Sequence, residues 1–271
     1  MRILLTAILL FLSQFVIANK IDSLKTDDDV LNFFNTYSPT YVRVAAYQIV
    51  PASEVSTKSN CPDIIKEWGM KSWEKVDFNN DGLTDILISP FMGKYYACVF
   101  IDSGNDKYNF IYLTTYWPAN CQIAKTIMLN GKPSLMMYTS KQLGGTVAEG
   151  YAPTITIDTL TYAYGIFAER NTKAANEAID TITLFKSGCL GACPSYEIKI
   201  SSNGDVILNA GKYNPKLGKF RTNFSAKTTH QFLQLINYLN VKKLEDKYQA
   251  SWTDAQSALL TVKFKDGTVK K

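Results

Sequence analysis

The chain has 271 residues, 46% of them apolar and 20% charged, with a formal net charge of +5. This is the make-up of an ordinary globular protein able to bury a sizeable core. The lysines are scattered rather than clustered, which gives no reason to expect nucleic-acid binding.

Residues 1–18, MRILLTAILLFLSQFVIA, place Arg2 ahead of an apolar run from Ile3 to Leu12 and end on Val16-Ile17-Ala18. That is the layout of a secretory signal cut after Ala18, and Ser13 and Gln14 interrupt the run before it is long enough to span a bilayer comfortably. Cleavage would remove Arg2 and take the charge from +5 to +4. The expected compartment is therefore periplasmic or secreted, with no membrane span after signal cleavage. In an oxidising compartment thiols pair. The five cysteines, Cys61, Cys98, Cys121, Cys189 and Cys193, leave an odd one. Cys98, inside YYACVFI, reads as a buried apolar thiol, while the pairing among Cys61, Cys98 and Cys121 stays open.

Thr26 before Asp27-Asp28-Asp29 predicts a capped helix to about Asn35. Strands are then predicted at 41–50, 83–89, 95–101, 108–114, 124–139 (two strands about Asn130-Gly131), 154–158 and 161–169, each rich in aromatic and β-branched residues. Residues 170–180 break that rhythm and read as a linker. Beyond it, DTITLFKS, YEIKISS and DVILNA predict three strands. SAKTTHQFLQLINYL predicts an amphipathic helix, with Ser225 as cap and Phe232, Leu235, Ile236 and Leu239 on one face. ALLTVKF then resumes the sheet, with a last strand barely begun after Asp266-Gly267. The expected fold class is α+β and predominantly antiparallel β. Its predicted parts are a signal peptide at 1–18, a meander-like β domain at 19–172 and a β-β-β-α-β(-β) domain at 173–271.

Residues 77–85, DFNNDGLTD, carry the strongest chemical signal. A calcium loop offers oxygens at positions 1, 3, 5, 7 and 9 with glycine at 6. Those places hold Asp77, Asn79, Asp81, the Leu83 carbonyl and Asp85, with Gly82 at the turn. Position 12 is Ile88 and the flanks are strand-like, so an EF-hand fits poorly. A plain hairpin turn at Asn80-Asp81-Gly82 is the simpler alternative, but it leaves unexplained three carboxylates that would repel by on the order of 1 kcal/mol per pair in water. The loop resembles the DxNxDGxxD loop of FG-GAP and VCBS repeats over residues 73–101. That resemblance implies a structural calcium ion holding a turn between two strands, and it occurs once, whereas a propeller needs several blades.

In GCLGACPSY, Cys189 and Cys193 lie four residues apart, about 13 Å if extended, so a disulfide requires the chain to double back. Gly191 and Pro194 suit that reversal. The pattern Cys189, Gly191, Cys193, Pro194, Tyr196, followed by two strands about Asn203-Gly204 and a helix, resembles an uncharacterised family of exported bacterial domains over residues 178–271, including Tyr248 and Thr253-Asp254. The resemblance implies architecture and compartment but no reaction, and such domains continue the strand after the Asp-Gly turn.

No catalytic constellation is complete. His230, the sole histidine, stands beside Thr229 and Gln231 with no marked nucleophile, and Gly144-Gly145 reads as a crossing between strands rather than a phosphate loop. The expected protein is an exported, non-enzymatic binding or envelope-structural module, its partner an unidentified protein, peptide or glycan. The alternative is a periplasmic thiol-disulfide protein using Cys189 and Cys193, although such centres favour a two-residue spacing.

Overall fold

The computed structural model describes residues 19–40, 42, 47–57, 62–114, 119–141, 154–248 and 255–271. The predicted signal, Cys61, Gly144-Gly145, Thr253-Asp254 and half of the strand expected at 41–50 lie outside them. The chain divides at Arg170/Asn171 into two compact units.

In the first unit, helix α1 (Lys20–Ser23) and helix α2 (Asp27–Tyr37) precede helix α3 (Pro62–Trp68). The α2 start is the capping box read from sequence. Thr26 accepts the Asp29 N–H and Asp29 accepts the Thr26 N–H, so two otherwise orphaned donors are met. Eight strands follow: β1 (Trp73–Val76), β2 (Asp85–Ile88), β3 (Cys98–Asp102), β4 (Tyr108–Tyr112), β5 (Ala119–Leu129), β6 (Lys132–Lys141), β7 (Thr154–Ala163) and β8 (Ile166–Glu169). They make two antiparallel meanders, β1-β2-β3-β4 and β5-β6-β7-β8.

The packing is layered. Phe78, Leu87, Val99 and Ile101 meet Ala124 and Leu135 between the two sheets. On the outer face of the first sheet, Ile86, Ile88, Cys98 and Phe100 pack under Ile21, Val30, Phe33 and Phe34 of the helices. On the outer face of the second, Cys121 and Ile123 lie with Ile65 of α3. Being covered on both faces explains why β2 and β3 read as unbroken apolar runs rather than alternating ones, every residue of both strands being buried.

Two expectations need correction here. Gln48 makes only an isolated bridge to Phe91, so residues 47–50 are no strand. The break expected near Thr159-Leu160 falls at Tyr164-Gly165, which take positive φ of 56° and 83°, and β7 runs straight through 159–160.

The second unit holds β9 (Ile179–Lys186), β10 (Tyr196–Ser201), β11 (Asp205–Ala210), β12 (Gly218–Asn223), helix α4 (Ala226–Tyr238), a 3-10 turn at Val241–Lys243, β13 (Ala258–Phe264) and β14 (Val269–Lys270). The sheet order is β12-β11-β10-β9-β13-β14, antiparallel throughout. Helix α4, capped by Ser225, covers one face through Phe232, Leu233 and Ile236, which meet Ile182, Val262 and Phe264. Leu239, placed on that face by its spacing, is instead exposed. The expected three strands before the helix are four, because GKFRTN forms β12 with all six residues exposed and therefore lacks an apolar signature. Residues 171–178 are not a free linker. Asn171, Ala175 and Glu177 bond to Tyr238 and Asn237 at the end of α4.

Gly204 sets the junction between β11, β12 and α4. Its φ is +95°, and a Cβ there would sit 2.8 Å from the Phe224 carbonyl oxygen and 2.9 Å from Thr229 Oγ1. Gly204→Ala is expected to destabilise the second unit by about 2–3 kcal/mol. Gly188→Ala, where the added carbon meets nothing within 4 Å, serves as the near-neutral control. Urea midpoints of the two variants check this.

Candidate functional site

The DFNNDGLTD loop joins β1 to β2. Asn80 and Gly82, at φ 55° and 86°, fold it so that side-chain oxygens cap its own backbone. Asp77 accepts the N–H groups of Asp81 and Gly82 at 3.2 and 2.9 Å. Asn79 Oδ1 accepts from Asp81 N at 3.0 Å, and Asp81 Oδ1 from Leu83 N at 2.8 Å. The Asn79 amide donates to Asp81 Oδ2 at 2.8 Å.

Asp85 differs from these. It begins β2, opposite Val76, and is fully buried. Its Oδ2 accepts the Phe78 N–H and its Oδ1 the Asp102 N–H, both at 2.8 Å. One carboxylate thus ties the loop to the end of β3. Burial pushes its carboxyl up to about 7 against the pull of those two donors, and Asp77 and Asp81 add to the rise.

Asp102 is the residue that sequence reasoning missed. It is 1% exposed, accepts the Gly104 N–H at 2.7 Å, and is raised by burial and by Asp81, Asp106 and Asp22. Its signal was an acid closing the apolar run YYACVFI. Among the described residues no ion pair reaches Asp77, Asp81, Asp85 or Asp102.

The five sequence-predicted ligands therefore share one loop, with Asp77, Asn79 and Asp81 on the outside and Asp85 turned inward. No three histidine, cysteine or acidic side chains among the described residues converge on a metal-sized centre. Each carboxylate oxygen that accepts one N–H still keeps a lone pair, since a carboxylate has about four acceptor sites. The donor set is thus all-oxygen and anionic, which suits a hard dication.

In the second unit Cys189 and Cys193 are bonded, with α-carbons 5.6 Å apart. Gly191 N–H donates to the Cys189 carbonyl at 2.9 Å, closing a three-residue turn with Leu190 at its apex, 82% exposed. The loop is braced from behind. Gln256 Nε2 donates to the carbonyls of Ser187 and Pro194, and Asn214 Nδ2 to that of Ser195. Cys98 is a free thiol, buried and pushed far up by that burial. Cys121 is disulfide-bonded.

A cleft of about 590 Å³ on the first unit is bordered by Asp27, Lys71, Trp73, Glu74 and Lys75. Both acids in it are committed, Asp27 to the Trp73 indole N–H and Glu74 to the N–H and hydroxyl of Thr126. His230 is exposed on α4. A family model described as a domain of unknown function, DUF6438, matches residues 180–271, about the last third of the chain. No curated protein and no solved structure matches.

The raised Asp85 carboxyl has a defined consequence in metal-free protein. An unfolded aspartate ionises near pH 4, the folded Asp85 near 7. Between those values the folded state holds a proton that the unfolded state has released. Asp85 therefore lowers stability as pH rises through that window, by up to about 1.4 kcal/mol per pH unit. Asp85→Asn is expected to remove this part of the slope. It also destabilises at every pH, because one backbone N–H then faces an amide NH₂. Urea midpoints of wild type and variant from pH 4 to 8 give the difference.

Proposed function

We propose that this chain is an exported, non-enzymatic binding or envelope-structural protein whose first unit is stapled by calcium at residues 77–85. One observation supports the metal reading above the rest. A fully buried aspartate, Asp85, lies in the field of Asp77 and Asp81 with no cation among the described residues paired to any of them. Asp77, Asn79, Asp81, the Leu83 carbonyl and Asp85 would hold the ion. Its two positive charges would turn mutual repulsion at the corner into attraction, and the similarity to FG-GAP and VCBS loops points the same way.

Export is supported by the leader-like first 18 residues and by the two disulfide-bonded cysteine sites. No helix among the described residues is long and apolar enough to cross a membrane. The cysteine motif within the matched domain resembles that of exported bacterial domains. The role we assign its disulfide is local shape, since closing so short a loop constrains the unfolded chain little. The candidate partner is a protein, peptide or glycan of the envelope.

Calcium at millimolar concentration is expected to raise the melting temperature of the first unit. The stabilisation is about 2.7 kcal/mol when the ion is a hundredfold above its dissociation constant. Asp77→Asn with Asp81→Asn should abolish the gain, and a calorimetric titration with no uptake would remove the metal reading.

The exposure of the loop apex favours one second reading, a thiol-disulfide centre at Cys189 and Cys193. Alkylation followed by mass spectrometry separates the two. A bridge that only fixes shape stays oxidised in glutathione buffer until the unit unfolds, whereas a redox centre exchanges while folded.

A further inference from the structure

The sheet of the second unit ends at β12, whose six residues are all exposed. Its ladder to β11 runs without a bulge from Asp205↔Asn223 to Ala210↔Gly218. Which backbone groups of β12 are unpaired follows from the register. Phe224 N–H donates to the Gly204 carbonyl, and hydrogen-bonded pairs alternate along an antiparallel ladder. Residues 222, 220 and 218 therefore turn their backbone groups toward β11. Lys219, Arg221 and Asn223 turn theirs outward. The next ladder agrees, because Gly211 N–H donates to the Ser195 carbonyl, which leaves 210, 208 and 206 directed at β12.

Native sheets guard such an edge with charged side chains, lysine above all, with proline, a bulge, inward-pointing charge, a covering element or a very short strand. β12 has no proline and no bulge, and its residues are exposed among the described residues. Its guard is the lysine and arginine of one face, which deter a second cationic edge but not an acidic one. Lys219 lies in the row of Asn209 and Glu197, and Arg221 in the row of Ile207 and Lys199, on the face opposite α4. The other face presents Phe220, 40% exposed, with Leu217 beside it at 67%. From residue 206 to 244 the chain has seven Lys or Arg and no Asp or Glu. Neither Lys219 nor Arg221 has an ion-pair partner among the described residues.

We propose that β12 is a strand-addition site, at which an extended peptide segment of another protein pairs with the outward backbone groups of Lys219, Arg221 and Asn223. Its recognition chemistry is carboxylates on one face, against Lys219 and Arg221, alternating with apolar side chains on the other, against Phe220. Backbone pairing supplies affinity and the alternate side chains supply choice of partner. A second copy of this chain is a poor occupant. The face-matching antiparallel self-pairings Lys219↔Lys219, Lys219↔Arg221 and Arg221↔Arg221 each oppose two cations, and like charges directly opposed are destabilising, while the register Arg221↔Asn223 overlaps only three residues of each strand. A polyanion without a peptide backbone would leave the outward N–H and C=O groups unused. The inference goes beyond the calcium reading and does not depend on it.

The test uses the full chain and a fluorescein-labelled octapeptide alternating glutamate with valine. Binding is expected by polarisation, together with slowed amide exchange at Lys219, Arg221 and Asn223. Arg221→Pro removes an outward N–H and no bond to β11, a place where an edge strand tolerates proline. It should bind about tenfold more weakly than Arg221→Gln, which loses only the charge, because one backbone hydrogen bond is gone. Should Arg221→Pro unfold the unit, an octapeptide methylated on alternate backbone nitrogens takes its place, and its binding is expected to vanish. The proposal is overturned by any of three results. These are no binding at millimolar peptide, equal binding of a proline-interrupted acidic peptide or of heparin, and sedimentation showing a dimer that Arg221→Pro dissolves.

Discussion

A single buried carboxylate closes the first unit. Two sheets stacked under helices leave the end of β3 and the start of the aspartate loop out of reach of water, and the N–H groups there must still be met. Asp85 meets two of them, from Phe78 and Asp102. It also costs the fold the burial of a group that ionises near neutrality. An apolar residue at this position would orphan both donors, and an asparagine at least one. The corner is therefore fixed in geometry and left unsettled in charge, and that combination makes it the candidate site.

The second unit solves a related problem with neutral groups. Its cysteine loop is exposed at Leu190 yet held at its base by amides, Gln256 and Asn214, which donate to the carbonyls of Ser187, Pro194 and Ser195. Gly211 belongs to the same construction, since a Cβ there would come within 2.5 Å of Ser195 Oγ. The disulfide thus sits on a base that hydrogen bonds also hold.

The legible parts of the fold were those in which one residue type has one local use. Thr26 with Asp29, Ser225 before α4, and Asn203-Gly204 between two strands each solve a backbone problem within three or four residues, and each was readable. The buried thiol at Cys98 was readable for the same reason, because its neighbours on both sides are apolar. Residues whose roles come from distant partners were not. Asp102 is buried where β2 brings Asp85 alongside it, and the apolar run it closes is the sole local sign of that. Residues 47–50 are apolar but bridge only at Gln48, so hydrophobicity alone misled. β12 went unread for the opposite reason, since an edge strand exposed on both faces has no burial pattern to display.

The two candidate sites share one electrostatic logic. At the aspartate corner the nearest preceding cation, Lys75, gives its ammonium protons to the carbonyls of Asp22 and Leu24, where it caps the end of α1 rather than neutralising Asp77 or Asp81. At β12 the nearby acids are likewise engaged, with Glu197 accepting from Asn209 and Asp205 from Asn203 and Asn223. In each place an internal counter-charge lies within a few residues and is used for something else. A lysine or a glutamate would have balanced either surface at little cost, because exposed ion pairs need no desolvation. Charge left unbalanced beside fixed, directional backbone groups is what a surface built to receive an external partner requires: a cation at the first, an acidic strand at the second.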